Sequence, residues 1–258
     1  MDIHPTALVS PQAELAEDVT IGSYSIIGPK VTIGPGTVVG PHAVIDGRTT
    51  IGARNRIFPF ASVGYPPQDM SYRGGDTQLI IGDGNTIREC ATINKGTENG
   101  GGITRLGNNN LIMAYAHVAH DCQIGNHVIM ANCATLGGHV HIDDHATLGG
   151  LVAVHQFLRV GAYAFIGGKS GLNTDMPPFM LASGIPAKLY GPNVVGLKRH
   201  NFTNDAILAL KKSYKILFRS KLSLKDAIEK VRQEVQPLPE VETLVQFMIN
   251  HTERGVMR

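Results

Sequence analysis

The chain of 258 residues has no tryptophan, only three cysteines, and aromatic residues at 6%. Cys90, Cys122 and Cys133 are an odd count and form no Cys-x-x-Cys pair. A disulfide framework and a paired-cysteine zinc site are therefore excluded as organising principles, and a reducing cytoplasm is the economical compartment. Charge of one sign is also missing: 23 basic against 21 acidic side chains leave a net +2. That balance gives no electrostatic footprint for nucleic acid. No apolar run is long enough to span a bilayer, so no integral membrane segment is expected. The first twenty residues carry Asp2, Pro5, Glu14, Glu17 and Asp18, unlike a signal peptide.

What is plentiful is glycine, at 30 residues, together with aliphatic side chains at one fixed interval. Steps of six from Ile3 meet Val9, Leu15, Ile21, Ile27, Ile33, Val39, Ile45, Ile51, Ile57 and Val63. The series resumes at Ile81, Ile87 and Ile93, then runs from Leu106 to Leu172. Neither a helix at 3.6 residues nor a strand at 2.0 produces a strict six. A hexapeptide repeat marks a parallel β-helix, in which each unit makes one short strand and one turn and three units close a coil of 18. Two residues before each aliphatic lies a small or β-branched side chain (Ala7, Ala13, Val19, Ser25, Val31, Thr37). Alternate residues of a strand share a face, so both positions point inward. Glycine often follows the aliphatic, as at Gly22, Gly28, Gly34 and Gly40, where a tight corner with positive φ is the expected reason. About ten coils rising ~4.8 Å each predict a prism ~48 Å long.

The period fails twice. Residues 64–78 contain Tyr65-Pro66-Pro67-Gln68-Asp69-Met70-Ser71-Tyr72, which cannot fill a core and should leave the coil as a loop, with Gln68, Asp69 and Tyr72 as functional candidates. Ile93 to Leu106 spans 13 residues, two hexapeptides and one extra residue, placing an insertion near 96–105. The division expected is a β-helix over 1–190 and an α-helical domain over 191–258. From about Thr203 the period turns helical; Asn204 is the expected first cap and Ser223 with Asp226 a capping box. A last helix is expected over 241–250. A unit of this size needs a partner surface, on the β-helix or on a neighbouring subunit.

Seven of the eleven histidines fall between His117 and His155, none at an inward position. His127 and His145 read as surface polar residues. Asp121 and His139 are 18 apart and so stack, with His120 and His155 near the same column. An imidazole is suited to take a proton from a hydroxyl. A metal is the competing reading; it requires three open ligands, and no histidine lies two coils before His117 to complete such a set.

The stretch Ala114-Tyr115-Ala116-His117-Val118-Ala119-His120-Asp121-Cys122 resembles the acyl-carrier-protein–UDP-N-acetylglucosamine O-acyltransferases, which begin lipid A and lipopolysaccharide synthesis. Further likeness lies in Asn108-Asn109-Asn110, Gly138-His139-Val140, His155-Gln156-Phe157, Asp175-Met176-Pro177-Pro178 and Gly196-Leu197-Lys198-Arg199-His200-Asn201-Phe202. The resemblance implies a mainly β, left-handed parallel β-helix and a homotrimer. It implies transfer of an (R)-3-hydroxyacyl group from acyl carrier protein to the 3-hydroxyl of UDP-N-acetylglucosamine. His120 would be the general base, Asp121 its support, and a backbone amide near Gly138 the oxyanion donor. Gln68, Asp69, His117, His139, His155 and Gln156 would line the sugar and acyl sites. Asn193, Arg199 and His200 would reach the nucleotide, and Gly168 would border the acyl groove. With no side chain at Gly168 the groove is open, so a long acyl chain is expected. No cofactor is implied, because the acyl group is already a thioester on the carrier. Ser71, Asn94-Lys95-Gly96, Val195 and His200 depart from the family's usual residues. Those departures admit a related acceptor, such as a sugar with a 3-amine. An N-acyltransferase on a UDP-amino sugar, acting later in the same pathway, is an alternative; that family carries a uridine-binding domain before its β-helix, and hexapeptides beginning at Ile3 are expected to leave no room for one. A metal-dependent or binding β-helix trimer is the other alternative.

Overall fold

The computed structural model describes residues 1–258. Between Asp2 and Leu172 the chain forms short strands that visit three parallel walls in rotation. The second wall has nine strands and the third eight. The first has eleven, because Met180–Ser183 adds a parallel tenth rung and Lys188–Pro192 folds back antiparallel as the last. The result is a left-handed parallel β-helix with a small helical C-terminus. Every aliphatic from Ile21 to Leu172 in the six-residue series is buried, as is nearly every residue two before it.

The turn chemistry differs from expectation. The left-handed position is three residues past the aliphatic, and it is filled by side chains: His127, Cys133, His139, His145, Leu151, Phe157 and Tyr163 all have φ between 55° and 67°. Apart from Gly64, where the first excursion leaves at φ 83°, the glycines directly after the aliphatic are not left-handed. They are small because the next coil lies against them. A Cβ on Gly22 would sit 2.6 Å from the Pro41 nitrogen, and one on Gly161 would sit 2.4 Å from the Pro178 nitrogen. The slot two past the aliphatic holds Pro5, Pro11, Pro29, Pro35, Pro41 and Pro59. A residue without an N–H is tolerated there because the ladder does not use that amide.

Both breaks of period leave from the corner between the second and third walls. Regular coils pair residues 18 apart, as His117 with Thr135. Ser62 pairs with Thr92, 30 residues on, so the first excursion adds twelve. Thr92 pairs with His117, 25 residues on. The second excursion therefore adds seven residues to a single corner, not one residue to two hexapeptides.

Four helices close the C-terminal end: α1 (Val194–Arg199), α2 (Asn204–Arg219), α3 (Leu224–Glu234) and α4 (Pro239–Ile249). Thr203, not Asn204, caps α2, accepting from the Ala206 N–H at 3.1 Å. Ser223 caps α3 as its sequence suggests. The helices dock on the last coils. Arg219 donates to the Leu189 carbonyl, Arg159 donates to that of Asn250, and Thr252 donates to the buried Asp175 carboxylate.

Candidate active site

A period of 18 lays corner residues into columns. His120, Gly138 and Gln156 occupy the slot two past the aliphatic in successive coils, at the corner from which both excursions leave. Asp121, His139 and Phe157 occupy the left-handed slot beside it, with φ of 59°, 62° and 67°. His139 stacks on Phe157 at 4.3 Å between centroids and meets His120 edge-on at 5.1 Å.

His120 Nδ1 lies 2.8 Å from Asp121 Oδ2. The Asp121 side chain has no exposed surface, and that of His120 is 13% exposed. The other ring nitrogen is directed over Gly138: a Cβ added there would lie 2.5 Å from His120 Cε1 and 2.7 Å from Nε2. Glycine at 138 is what makes room for the imidazole. The Gly138 amide sits in the slot that the ladder leaves free and donates to no protein group, while its carbonyl accepts from the Phe157 N–H. An imidazole nitrogen and an unpaired amide are thus set side by side by the repeat itself.

His139 Nε2 lies 3.9 Å from Asp121 Oδ2, so His120, Asp121 and His139 have the residue types of a metal site. The carboxylate, however, already accepts from the Thr97 N–H and hydroxyl, which leaves it engaged as a hydrogen-bond acceptor within the dyad. His117 points outward from the second wall, with Nδ1 2.6 Å from Thr92 Oγ1. Burial holds its imidazole below the ordinary range, with the neighbouring His120 adding to the effect. Burial likewise lowers His139, against an opposing pull from Asp121. Asp69, in the first excursion, accepts from the Ser71 N–H and hydroxyl at 2.8 Å each. Those bonds hold its carboxyl below the usual range, and His120 and His139 lower it further. Tyr72 donates to the Gly75 carbonyl, under the Lys95 ammonium at 5.4 Å. Gln68, His155 and Gln156 are exposed nearby. From His139 and Phe157 an open groove of about 920 Å³ crosses the third wall, past His141 and Arg159, to Thr252–Arg254.

The remaining candidates lie elsewhere on the prism. Asn193 caps α1, accepting from the Gly196 N–H and donating to the Tyr163 carbonyl. With Arg199 and His200 it borders a cavity of about 490 Å³ over the first wall, at the corner between the third and first walls. His145 is not a free surface residue. It is stacked between His127 and Tyr163 and meets His200 edge-on. Gly168 is exposed at the third corner, between the first and second walls. The left-handed residue of that turn is Lys169, at φ 57°, so Gly167 does not fill that role. One chain therefore gathers His120, Asp121, Gly138, His139 and the first excursion, and leaves Asn193, Arg199, His200 and Gly168 on other edges.

Thr97 escaped the sequence reading because the six-residue period gives no path for an excursion. Gly138 was named by the family resemblance, and the coil period places it one rung from His120 on the same column. Cys122 is a packing residue: it is buried, donates to the Gly137 carbonyl, and burial pushes its thiol up to about 12.

A hexapeptide β-helix whose corner carries an oriented histidine beside a free amide belongs with the transferases of that fold. A profile described as bacterial transferase hexapeptide (six repeats) matches residues 13–47 and 103–138. Another, described as Udp N-acetylglucosamine O-acyltransferase, Domain 2, matches 175–257. The acyl-[acyl-carrier-protein]–UDP-N-acetylglucosamine O-acyltransferase of Syntrophobacter fumaroxidans is 60% identical over the full length of both chains. The enzyme of that name from Thermodesulfovibrio yellowstonii is 55% identical over 100% of this chain and 99% of its own. Among solved structures, LpxA from Acinetobacter baumannii superposes with a TM-score of 0.96 at 43% identity, covering 99% of each chain. The chain belongs to the acyl-[acyl-carrier-protein]–UDP-N-acetylglucosamine O-acyltransferase family.

Proposed function

We propose that the protein transfers a 3-hydroxyacyl group from acyl carrier protein to the 3-hydroxyl of UDP-N-acetylglucosamine, the first step of lipid A synthesis. The observation that carries the mechanism is the placement of His120 Nε2 over the free Gly138 amide. His120 takes the proton of the sugar hydroxyl as its oxygen attacks the thioester carbonyl. The Gly138 N–H receives the charge that develops on the carbonyl oxygen. The C–O bond forms, the C–S bond breaks, and the imidazolium passes the proton to the departing sulfur, which leaves as the carrier thiol and restores the neutral base. No cofactor enters, because the acyl group arrives activated. Asp69, His139, Gln68, Tyr72, His117, His155 and Gln156 surround the acceptor and donor. Asn193, Arg199 and His200 take the nucleotide, and exposed Gly168 leaves room for a long acyl chain.

Distribution of these groups over three edges supports a homotrimer. Packing parallel prisms side by side brings one chain's His120 edge to another chain's Arg199 or Gly168 edge. The cytoplasm is the compartment in which free Cys90 and Cys133 persist as thiols; no helix is long and apolar enough to cross a membrane.

Mass spectrometry after incubation with UDP-sugars and a panel of acyl carrier protein thioesters tests the reading. An O-acylated UDP-N-acetylglucosamine, formed best with long 3-hydroxyacyl chains, is expected. Acylation of a 3-amino sugar alone would move the protein to N-acyl transfer, and no product with any thioester would overturn the assignment.

A further inference from the structure

We infer that Thr97, brought in by the second excursion, is the positioning residue of the reaction: it fixes Asp121 and, through Asp121, the aim of the His120 imidazole. The inference rests on the transferase reading above. Thr97 and Asp121 are both buried, at 2% and 3% exposure. The Thr97 N–H is shared between Asp121 Oδ1 at 3.0 Å and Oδ2 at 3.2 Å, and its hydroxyl donates to Oδ2 at 2.6 Å. That hydroxyl has one proton, and its direction is set locally: Oγ1 accepts from the Gly100 N–H at 3.1 Å, so the proton is left for Asp121. Below, the Asp121 N–H donates to Thr104 Oγ1 at 2.8 Å. Gly100 closes the site; a Cβ there would lie 2.1 Å from the carboxylate.

The carboxylate is thus met by donors only. His120 Nδ1, 2.8 Å from the same oxygen, completes the set as a donor. An imidazole that donates from Nδ1 keeps its lone pair on Nε2, the nitrogen over Gly138. Without the Thr97 hydroxyl, Oδ2 loses its shortest contact, the carboxylate is free to turn, and the ring loses both its tautomer and its aim. The excursion also reaches the substrate loop, since Glu98, next to Thr97, accepts from the Gly75 N–H at 2.6 Å. A purely structural role, capping the 3₁₀ turn Glu98–Gly100, is the competing account.

The test compares Thr97→Val and Thr97→Ser in the full-length protein, alone and combined with Asp121→Asn. Thr97→Val is expected to lower kcat on the order of tenfold with KM for both substrates within about twofold, the loss anticipated for one hydrogen bond to a charged group. Thr97→Ser restores kcat to within about twofold of wild type. In the Asp121→Asn background Thr97→Val adds less than about twofold, because the two act as one unit. The ¹⁵N spectrum of the His120 ring shifts from the Nδ1–H form toward Nε2–H in Thr97→Val. Wild-type kcat in Thr97→Val, failure of Thr97→Ser to rescue, independent losses in the double variant, or an unchanged ring spectrum would each overturn the inference. Should Thr97→Val lose its wild-type melting transition, Thr97→Ala is measured by the same criteria. The ring spectrum needs no substrate, so a wild-type protein that transferred no acyl group would sink the function and still leave Thr97 to be judged.

Discussion

His117 and His139 flank His120, the proposed base, and both are held below the ordinary imidazole range chiefly by burial. A depressed histidine makes folding sensitive to acid. Below a pH of about 6.5 the unfolded chain binds protons that folded His117 and His139 refuse, so stability falls with pH until their folded values are passed. Melting temperature should therefore decline from about pH 7 to pH 5, and His117→Gln should flatten part of that decline. A melting temperature independent of pH in the wild type would contradict this account. At the chemical centre, His120→Ala should reduce kcat by roughly 10²–10⁴-fold with the fold intact, as loss of a general base requires. His139→Ala and Gln156→Ala should be milder and act mainly on KM. Steady-state kinetics decide between them; near-normal kcat in His120→Ala would remove the base assignment. The sequence told that the histidines face outward, because inward positions are fixed by the period. It did not tell that His200 meets His145 edge-on, since that depends on where α1 lands; the stack of His127, His145 and Tyr163 follows from their spacing of 18.

Among the elements, the coils were the legible part and the corners were not. A period of six states which residues point inward, and burial from Ile21 to Leu172 agrees with it. It says nothing of how an excursion folds, which is why seven added residues read as one. Asn108-Asn109-Asn110 shows a second gap. The three residues are scaffold with three separate tasks. Asn108 Oδ1 accepts from the otherwise unused Asp83 N–H, and Asn109 takes the left-handed position at φ 56°. Asn110 is buried in a ladder with Asn55 and Asn85. In that ladder Asn55 Oδ1 accepts from the Asn85 N–H and Nδ2, and Asn85 Oδ1 accepts from the Asn110 N–H. Asn85 also donates to the Gly107 carbonyl at 2.9 Å. Asn85→Ala would strand the Asn110 N–H and the Gly107 carbonyl on the following coil, while Asn55 Oδ1 keeps the backbone N–H of residue 85. It should lower stability by about 2–4 kcal/mol, from two or more unsatisfied groups at ~1–3 kcal/mol each. Denaturant unfolding measures it, and a loss under ~1 kcal/mol would mean that water replaces the amide.

For the whole molecule, the decisive fact is that residues assigned to one reaction lie on different edges of the prism. Sequence resemblance supplied the set of residues; only the three walls reveal that a single chain keeps them apart. The proposed trimer therefore predicts active sites shared between chains. His120→Ala and Arg199→Ala are each expected to be impaired, the latter mainly through KM for the UDP-sugar. Refolded together at equal amounts, they should recover activity at sub-saturating substrate, because about one site in four would combine an intact His120 with an intact Arg199 from another chain. Activity no greater than the sum of the two separate proteins would place each site within one chain. Sedimentation of a fully active species near 27.7 kDa would refute the trimer itself.

The corner columns have a further consequence. Because His120, Gly138 and Gln156 are successive copies of one slot, their spacing is set by the pitch of the coil, about 4.8 Å, and by nothing else. A substitution changes which group stands on a rung; it cannot slide that group along the axis. Distances between functional groups in this protein are therefore quantised. Any ligand measured along the edge is read in whole rungs, and intermediate lengths can be met only from the excursions, the one part of the edge whose length the coil does not dictate.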